Sequence, residues 1–207
     1  MPSTLVVFDI GGVLVEIRHT WDDVLSDLGE PALARSAPWR HADYAPLTAY
    51  QDDSMSEADY LTQVGQDLGL STERAKDAHA AMLGHDYPGA RALIEDLKAA
   101  GVQTACLSNT NALHWETLID AVRFPAIAAL DERFASFAIR VNKPLPGAFE
   151  AVAAAFPNAE RRIFFDDMPA NVEAANRFGW EAFRIDPEAD PPAQMRAVLV
   201  RLGVLPA

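Results

Sequence analysis

Residues 4–8 read Thr-Leu-Val-Val-Phe, and residues 9–12, Asp-Ile-Gly-Gly, follow them at once. The first stretch is apolar on both of its faces and rich in β-branched residues, which predicts a buried parallel strand. The glycine pair predicts a turn directly after Asp9. Because ligands of open α/β sheets gather outside the carboxyl ends of the strands, Asp9 lies where chemistry is expected.

The chain after residue 87 alternates between helical and strand-like segments. Helices are predicted between Pro88 and Gly101, after Asn111, and at residues 146–156 and 169–178. Strands are predicted at residues 102–107, 134–139, 162–165 and 181–185. Repeated units of this length indicate an α/β fold, a Rossmann-like parallel sheet with helices on both faces.

The stretch from about residue 19 to residue 87 has a different character. Its apolar residues follow helical spacing, Pro31, Pro38 and Pro46 interrupt it, and no segment predicts a strand convincingly. We interpret it as a small cap of four or five short helices inserted after the first strand. The predicted domains are therefore a catalytic core, residues 1–17 and 88–207, and a cap, residues 18–87.

Composition excludes several classes of function. The formal net charge is −13 and the pI is about 4.7, which argues against binding nucleic acid or an anionic membrane surface. The single cysteine, Cys106, allows no internal disulfide and no cysteine-built zinc site. No segment approaches the roughly 20 apolar residues of a membrane helix, and the N-terminal run is too short for a signal peptide. We expect a cytoplasmic protein.

Polar residues follow the other predicted strands as well. Residues 108–111, Ser-Asn-Thr-Asn, follow the second strand, Asp166 and Asp167 follow a later one, and Lys143 precedes a helix. Each alone is typical of an ordinary turn or helix cap. Together they supply the carboxylates, hydroxyl and lysine that hold a divalent cation and a phosphoryl group.

Four segments in order resemble the motifs of the haloacid dehalogenase-like superfamily. They are residues 6–14 (Val-Val-Phe-Asp-Ile-Gly-Gly-Val-Leu), 107–109 (Leu-Ser-Asn), Lys143 and 163–167 (Ile-Phe-Phe-Asp-Asp). Within the superfamily, residues 108–114 and 165–171 are most similar to bacterial α-glucose-1-phosphate phosphatases and to the N-terminal phosphatase domain of soluble epoxide hydrolase. The resemblance covers the whole chain.

The resemblance implies a phosphatase that forms an aspartyl phosphate on Asp9. It implies that Lys143 takes part in catalysis, and that phosphate is bound by Ser108, Asn109 and Lys143. The cofactor it implies is Mg²⁺, held by Asp9, the Gly11 carbonyl, Asp166 and Asp167, with Asp167 the more direct ligand of the last two. The substrate would be a small phosphorylated metabolite, with sugar phosphates among the candidates, and a homodimer is one possible state of assembly.

The sequence departs from the family pattern at Gly11. Most phosphatases of the family have a second aspartate there, which acts as general acid and base, and glycine cannot transfer a proton. His19 and His114 are the candidate substitutes, although His114 reads more simply as a helix-surface residue. Asn171 is either a partner of the metal site or an ordinary polar residue of a first helical turn. An aspartate such as Asp9 is expected to be ionised at neutral pH without special tuning.

Two alternatives remain at this point. One is a metal-independent 2-haloacid dehalogenase; such enzymes also lack the second aspartate, but they have Ser-Ser-Asn-like residues where this chain has Asp166 and Asp167. The other is a weakly catalytic protein that binds a phosphate ligand on the same scaffold. The cap residues that either line the pocket or form the cap's own core are Trp21, Trp39, His41, Tyr44, Tyr50 and Gln51.

Overall fold

The computed structural model describes residues 3–30 and 37–206, so Pro31 lies outside the described residues. The chain forms a five-stranded parallel sheet and a two-stranded antiparallel ribbon. The strands are β1 Thr4–Phe8, β2 Val15–Ile17, β3 Leu83–Asp86, β4 Gln103–Ser108, β5 Glu132–Ala135, β6 Arg161–Asp166 and β7 Glu181–Arg184. The order in the parallel sheet is β5-β4-β1-β6-β7.

The helices of the described residues either flank this sheet or belong to the predicted cap. They are α1 Trp21–Asp27, α2 Ala45–Gln51, α3 Glu57–Leu68, α4 Thr72–Ala80, α5 Ala90–Ala99, α6 Ala112–Leu118, α7 Pro125–Ala129, α8 Ser136–Ile139, α9 Pro146–Ala155, α10 Pro169–Arg177 and α11 Pro191–Arg201. One buried cluster joins Val6 and Phe8 of β1 to α5 and α11, and another joins Leu5 and Val7 to α9 and α10. The predicted α/β, Rossmann-like class is confirmed.

Strand β1 lies at the centre of the sheet because it is apolar on both sides. Its residues 5–8 are fully buried, and Phe8 pairs with Cys106 of β4 and with Phe165 of β6. The carboxyl ends of three adjacent parallel strands therefore meet at one edge. The residues at that edge are Asp9, Ser108 and Asp166.

The predicted cap contains α1 to α4 and a short 3₁₀ helix, His41–Asp43, among its described residues. These helices pack around their own apolar cluster, in which Trp21, Tyr44 and Tyr60 are almost completely buried. No described helix has both the length and the apolar character needed to cross a bilayer.

Two local predictions are wrong. Strand β3 lies inside the predicted cap, where no strand was expected, and pairs antiparallel with β2 across the predicted domain boundary. Residues 134–139 were predicted as one strand, but β5 ends at Ala135 and α8 follows. The Ser136 hydroxyl donates to the carbonyls of Thr110 and Gln51, so contacts outside the sheet fix this segment.

Candidate active site

Asp9 begins the turn that follows β1. Its side chain is almost buried, and the Ile10 N–H donates to Asp9 Oδ1 at 2.7 Å. Gly12 has a positive φ of 73°, and a Cβ there would lie 3.1 Å from Cγ of Asp167. Glycine is therefore required at this position both for the turn and for the close approach of the Asp167 carboxylate.

Lys143 is the cation at the centre of the site. It is 3% exposed, and its Nζ lies 2.9 Å from Asp9 Oδ1 and 2.7 Å from Asp166 Oδ2. The Asn109 side chain binds the backbone of the same lysine rather than pointing a free amide at a ligand: Asn109 Nδ2 donates to the Lys143 carbonyl at 2.9 Å. The lysine is thus fixed at both its backbone and its ammonium group.

The two adjacent aspartates after β6 have different surroundings. Asp166 is fully buried and accepts hydrogen bonds from Nδ2 of Asn171 at 3.0 Å and from the Met168 N–H at 2.8 Å. Asp167 instead lines the cavity described below. Asn171, left open between two interpretations, is therefore a buried partner of Asp166. Of the two aspartates, Asp167 is the one that lines the cavity.

The three carboxylates are crowded. Asp9, Asp166 and Asp167 each place an oxygen within 4.8 Å of the others. Burial raises the pKa of Asp9 to about 7; Lys143 opposes this shift, while Asp166 and Asp167 add to it. Burial and the charge of Asp166 also raise the pKa of Asp167. The expectation that Asp9 is ionised at neutral pH without a shift in its pKa is wrong for the site without a cation. The sequence did not reveal that three carboxylates lie so close together.

This donor set fits a divalent cation. Three carboxylates face a single lysine, so two negative charges remain uncompensated inside the cluster when all are ionised. Mg²⁺ prefers carboxylate and carbonyl oxygens of the kind found here. The residues that would hold it are those that the sequence predicted: Asp9, the Gly11 carbonyl, Asp166 and Asp167.

Gly11 lies on the wall of the same cavity, and its φ is outside the left-handed region. A Cβ at Gly11 would lie only 2.9 Å from Cδ1 of Ile17 in β2. The space that a second aspartate would need is therefore filled by the isoleucine side chain.

A cavity of about 370 Å³ includes two of the carboxylates, those of Asp9 and Asp167, in its lining. Ser108, Asn109 and Lys143 line it too, together with residues of the predicted cap, of the segment before it and of α6. The volume is in the range of small-molecule sites. Ser108 and Lys143 are both buried in its wall.

The cap residues selected from the sequence divide into two groups. His41 and Gln51 line the cavity, as does the partly buried His19. The others belong to the apolar cluster of the predicted cap or pack against it: Trp21, Trp39, Tyr44 and Tyr50.

The interpretation of His114 as a helix-surface residue is wrong. His114 is buried, stacks on His79 with ring centroids 3.8 Å apart, and bonds the His79 carbonyl through Nε2 at 2.8 Å. Burial lowers the pKa of His114 to about 4. Sequence reasoning missed His79, although Ala75, Ala78 and Met82 share its helical face and mark it as buried.

The chain is similar in sequence to known proteins. Residues 4–179 match the family model of the haloacid dehalogenase-like hydrolases. The chain is 28% identical to the phosphatase MT3486 of Mycobacterium tuberculosis over 204 residues, covering 90% of this chain and 88% of that protein. It is 24% identical to the (S)-2-haloacid dehalogenase 4A of Burkholderia cepacia over 199 residues, covering 90% and 84%.

Solved structures share the fold. A HAD family enzyme of Bacteroides thetaiotaomicron, crystallised as a magnesium complex, superposes with a TM-score of 0.73 and 18% identity. The superposition covers 95% of this chain and 100% of that one.

Proposed function

The chain belongs to the haloacid dehalogenase-like hydrolases, and from that premise we propose that it is a magnesium-dependent phosphatase acting through an aspartyl phosphate on Asp9. The observation that carries this proposal is the cluster of Asp9, Asp166 and Asp167 around a single lysine. Such a cluster is costly to ionise without a cation and well suited to a phosphate ester with one. The substrate is a small phosphorylated metabolite.

The first step is attack by the Asp9 carboxylate on phosphorus. A bond forms between the carboxylate oxygen and phosphorus, the ester P–O bond breaks, and the leaving oxygen takes a proton from solvent water, because Gly11 has none to give, and becomes an alcohol. Mg²⁺, when bound, neutralises charge on the phosphoryl group and on the carboxylates so that the two anions can approach each other.

The surrounding residues stabilise the charge that develops on the phosphoryl oxygens. Ser108 offers a hydroxyl donor on the cavity wall, and Lys143 supplies a fixed positive charge 2.9 Å from the attacking carboxylate. Water then hydrolyses the acyl phosphate, which releases inorganic phosphate and restores Asp9.

A 2-haloacid dehalogenase is the second candidate, since one relative carries that name. In that reaction Asp9 would attack carbon, and no metal would be needed. The crowded carboxylates favour the phosphatase, because a carboxylate substrate without a metal would add a further negative charge beside Asp166 and Asp167. A phosphate-binding protein with little turnover would share the same site.

The test measures phosphate release from p-nitrophenyl phosphate by protein stripped of metal, with and without added Mg²⁺. We expect release only with Mg²⁺, loss on adding EDTA, and a fall of at least about a thousandfold in Asp9→Asn. Chloride release from 2-chloropropionate in EDTA would identify the dehalogenase instead. If the wild type and Asp9→Asn bind phosphate with equal affinity and neither releases phosphate from the ester, the chain is a phosphate-binding protein.

A further inference from the structure

The cavity wall contains buried polar atoms that have no hydrogen-bond partner among residues 3–30 and 37–206. Two of them are Nε2 of His41 and Oδ1 of Asn142, and both residues line the cavity. Each side chain is more than nine-tenths buried. Since buried polar atoms are nearly always paired in folded proteins, such atoms on a cavity wall point to a ligand that pairs with them.

His41 presents an unpaired ring nitrogen to the cavity. Its Nε2 is buried and has no hydrogen-bond partner in the described chain. Nε2 of a neutral imidazole donates in one tautomer and accepts in the other, and a hydroxyl group can pair with it in both cases.

His114 lines the cavity as well, and its contact with a carbonyl shows which ring nitrogen carries the proton. Its Nε2 lies 2.8 Å from the His79 carbonyl, and a carbonyl can only accept, so Nε2 carries the proton. Nδ1 is then an acceptor, and no described residue bonds it. Burial lowers the pKa of His114 and that of His41 to about 4, so both rings are neutral at pH 7.

Asn142 adds an acceptor. Its Nδ2 donates to the Thr48 carbonyl of α2 at 3.0 Å, which fixes the amide orientation and leaves Oδ1 unpaired. The amide carries no charge, and both histidine rings are neutral at pH 7. Uncharged hydroxyls are therefore the groups that fit these partners.

We propose that His41, His114 and Asn142 form a specificity subsite, the acceptor subsite, that binds hydroxyl groups of the leaving alcohol. The inference rests on the proposed phosphatase activity and deepens it: the substrate is the phosphate ester of a polyhydroxylated alcohol with at least two free hydroxyls. Apolar side chains of Leu47 and Leu118 on the same wall suit the C–H faces of such a molecule.

The test compares glycerol 1-phosphate with its di-O-methyl ether. Both esters have the same type of leaving oxygen, but only the free diol has hydroxyl groups that can donate hydrogen bonds. We expect wild-type kcat/KM to favour the free diol by about tenfold or more, because each hydrogen bond contributes about threefold to tenfold. His41→Phe and His114→Phe keep an aromatic ring but remove the nitrogen atoms that pair with hydroxyls, so the ratio should fall to about threefold or less. His85→Phe, on an exposed strand position, is the matched control and should keep the wild-type ratio.

The outcomes separate the two proposals. Suppose that hydrolysis of phenyl phosphate requires Mg²⁺ and Asp9, so that the phosphatase holds. The acceptor subsite is then wrong if wild-type kcat/KM is the same for glycerol 1-phosphate and its dimethyl ether. It is also wrong if the ratio of these two values is unchanged in both folded histidine variants. Stronger selection for ethanolamine phosphate than for the diol would overturn the assignment to hydroxyls. No phosphate release from any ester would refute the phosphatase itself.

A second measurement does not depend on the folding of the histidine variants. In Asp9→Asn, addition of glycerol 1-phosphate should shift the ¹⁵N resonances of His114 Nδ1 and His41 Nε2 as they form hydrogen bonds with the hydroxyls. The methyl ether should leave these resonances unmoved. Equal shifts with both esters would contradict the subsite.

Discussion

The side-chain amide of Asn109 holds both polar backbone atoms of Lys143. Nδ2 donates to the Lys143 carbonyl at 2.9 Å, and the Lys143 N–H donates to Oδ1 at 2.8 Å. Asn109 follows β4, whereas Lys143 lies 34 residues further along in the loop before α9. The amide therefore ties together two loops that the sheet alone would leave independent, and it sets where the lysine side chain starts.

Asn109→Ala should lower kcat/KM by about a hundredfold, because misplacing a catalytic group by about 1 Å has an effect of that size. The fall should lie mainly in kcat, since the lysine acts on the developing charge. Steady-state kinetics with p-nitrophenyl phosphate would measure it. Asn176→Ala, which loses an amide bonded to the Ala182 backbone far from the cavity, is the matched control. Wild-type kcat in a folded Asn109→Ala protein would show that the amide has no positioning role.

Lys143→Met should destabilise the metal-free protein in a pH-dependent way. Removing one partner of a buried ion pair costs about 3–5 kcal/mol of the free energy of unfolding. The cost should be larger at pH 8 than at pH 5.5, because the pKa of Asp9 is already about 7 and rises further without the lysine. Urea unfolding in EDTA at the two pH values measures the difference.

The control for this variant is Lys98→Met. Lys98 pairs with Asp131 at 2.8 Å, but both side chains are more than a third exposed, so its loss should cost at most about 1 kcal/mol. Equal destabilisation by the two substitutions at both pH values would contradict the role given to the buried lysine.

His114 should make the fold sensitive to acid. Burial lowers its pKa from 6.5 to about 4, so the stability it contributes is complete above pH 6.5 and is lost as the pH falls toward 4. By pH 4 this loss is about 3 kcal/mol, at 1.36 kcal/mol per pKa unit. In His114→Gln the free energy of unfolding should therefore decline less between pH 7.5 and 4.5 than in the wild type. If the free energy of unfolding declines as steeply in His114→Gln as in His85→Gln, the exposed control, then His114 is not a group that makes the fold sensitive to acid.

Sequence predicted the features that depend on local pattern. β1 has the predicted bounds because its apolar run ends at a charge, and the polar residues after β1, β4 and β6 meet because parallel strands share an edge. Strand β3 has no such pattern: Gly84 lies against Glu16 so closely that a Cβ would be 2.8 Å from its carbonyl oxygen. Close backbone approach, not strand propensity, selects that residue.

The parts of the site that sequence could not reveal depend on contacts between distant segments. His41 and His114 were candidates from the sequence, but the sequence did not show that both are buried. His114 is surrounded by segments distant in the chain, among them His79, whose ring stacks on it. The same holds for Asp9, whose raised pKa follows from burial and from neighbours more than 150 residues away in the chain.

The final prediction concerns Gly11, which takes the place of the family's second aspartate. Its φ would not strain an aspartate, so the obstacle is Cδ1 of Ile17, 2.9 Å from the added Cβ. General acid catalysis contributes about 10²- to 10⁴-fold and matters most for basic leaving groups. Gly11→Asp combined with Ile17→Ala should therefore hydrolyse alkyl phosphates about a hundredfold faster than Ile17→Ala alone, with little change for p-nitrophenyl phosphate.

The measurement is the slope of log kcat/KM against leaving-group pKa for the wild type, Ile17→Ala, Gly11→Asp and the double variant. The wild-type slope should be steep, and it should flatten most in the double variant, because Gly11→Asp alone must still displace the isoleucine. If His19 already supplies the proton from its position on the cavity wall, His19→Gln should steepen the wild-type slope instead. A shallow wild-type slope that none of these substitutions alters would show that protonation of the leaving group is not limiting, and the aspartate missing at Gly11 would then have no kinetic consequence.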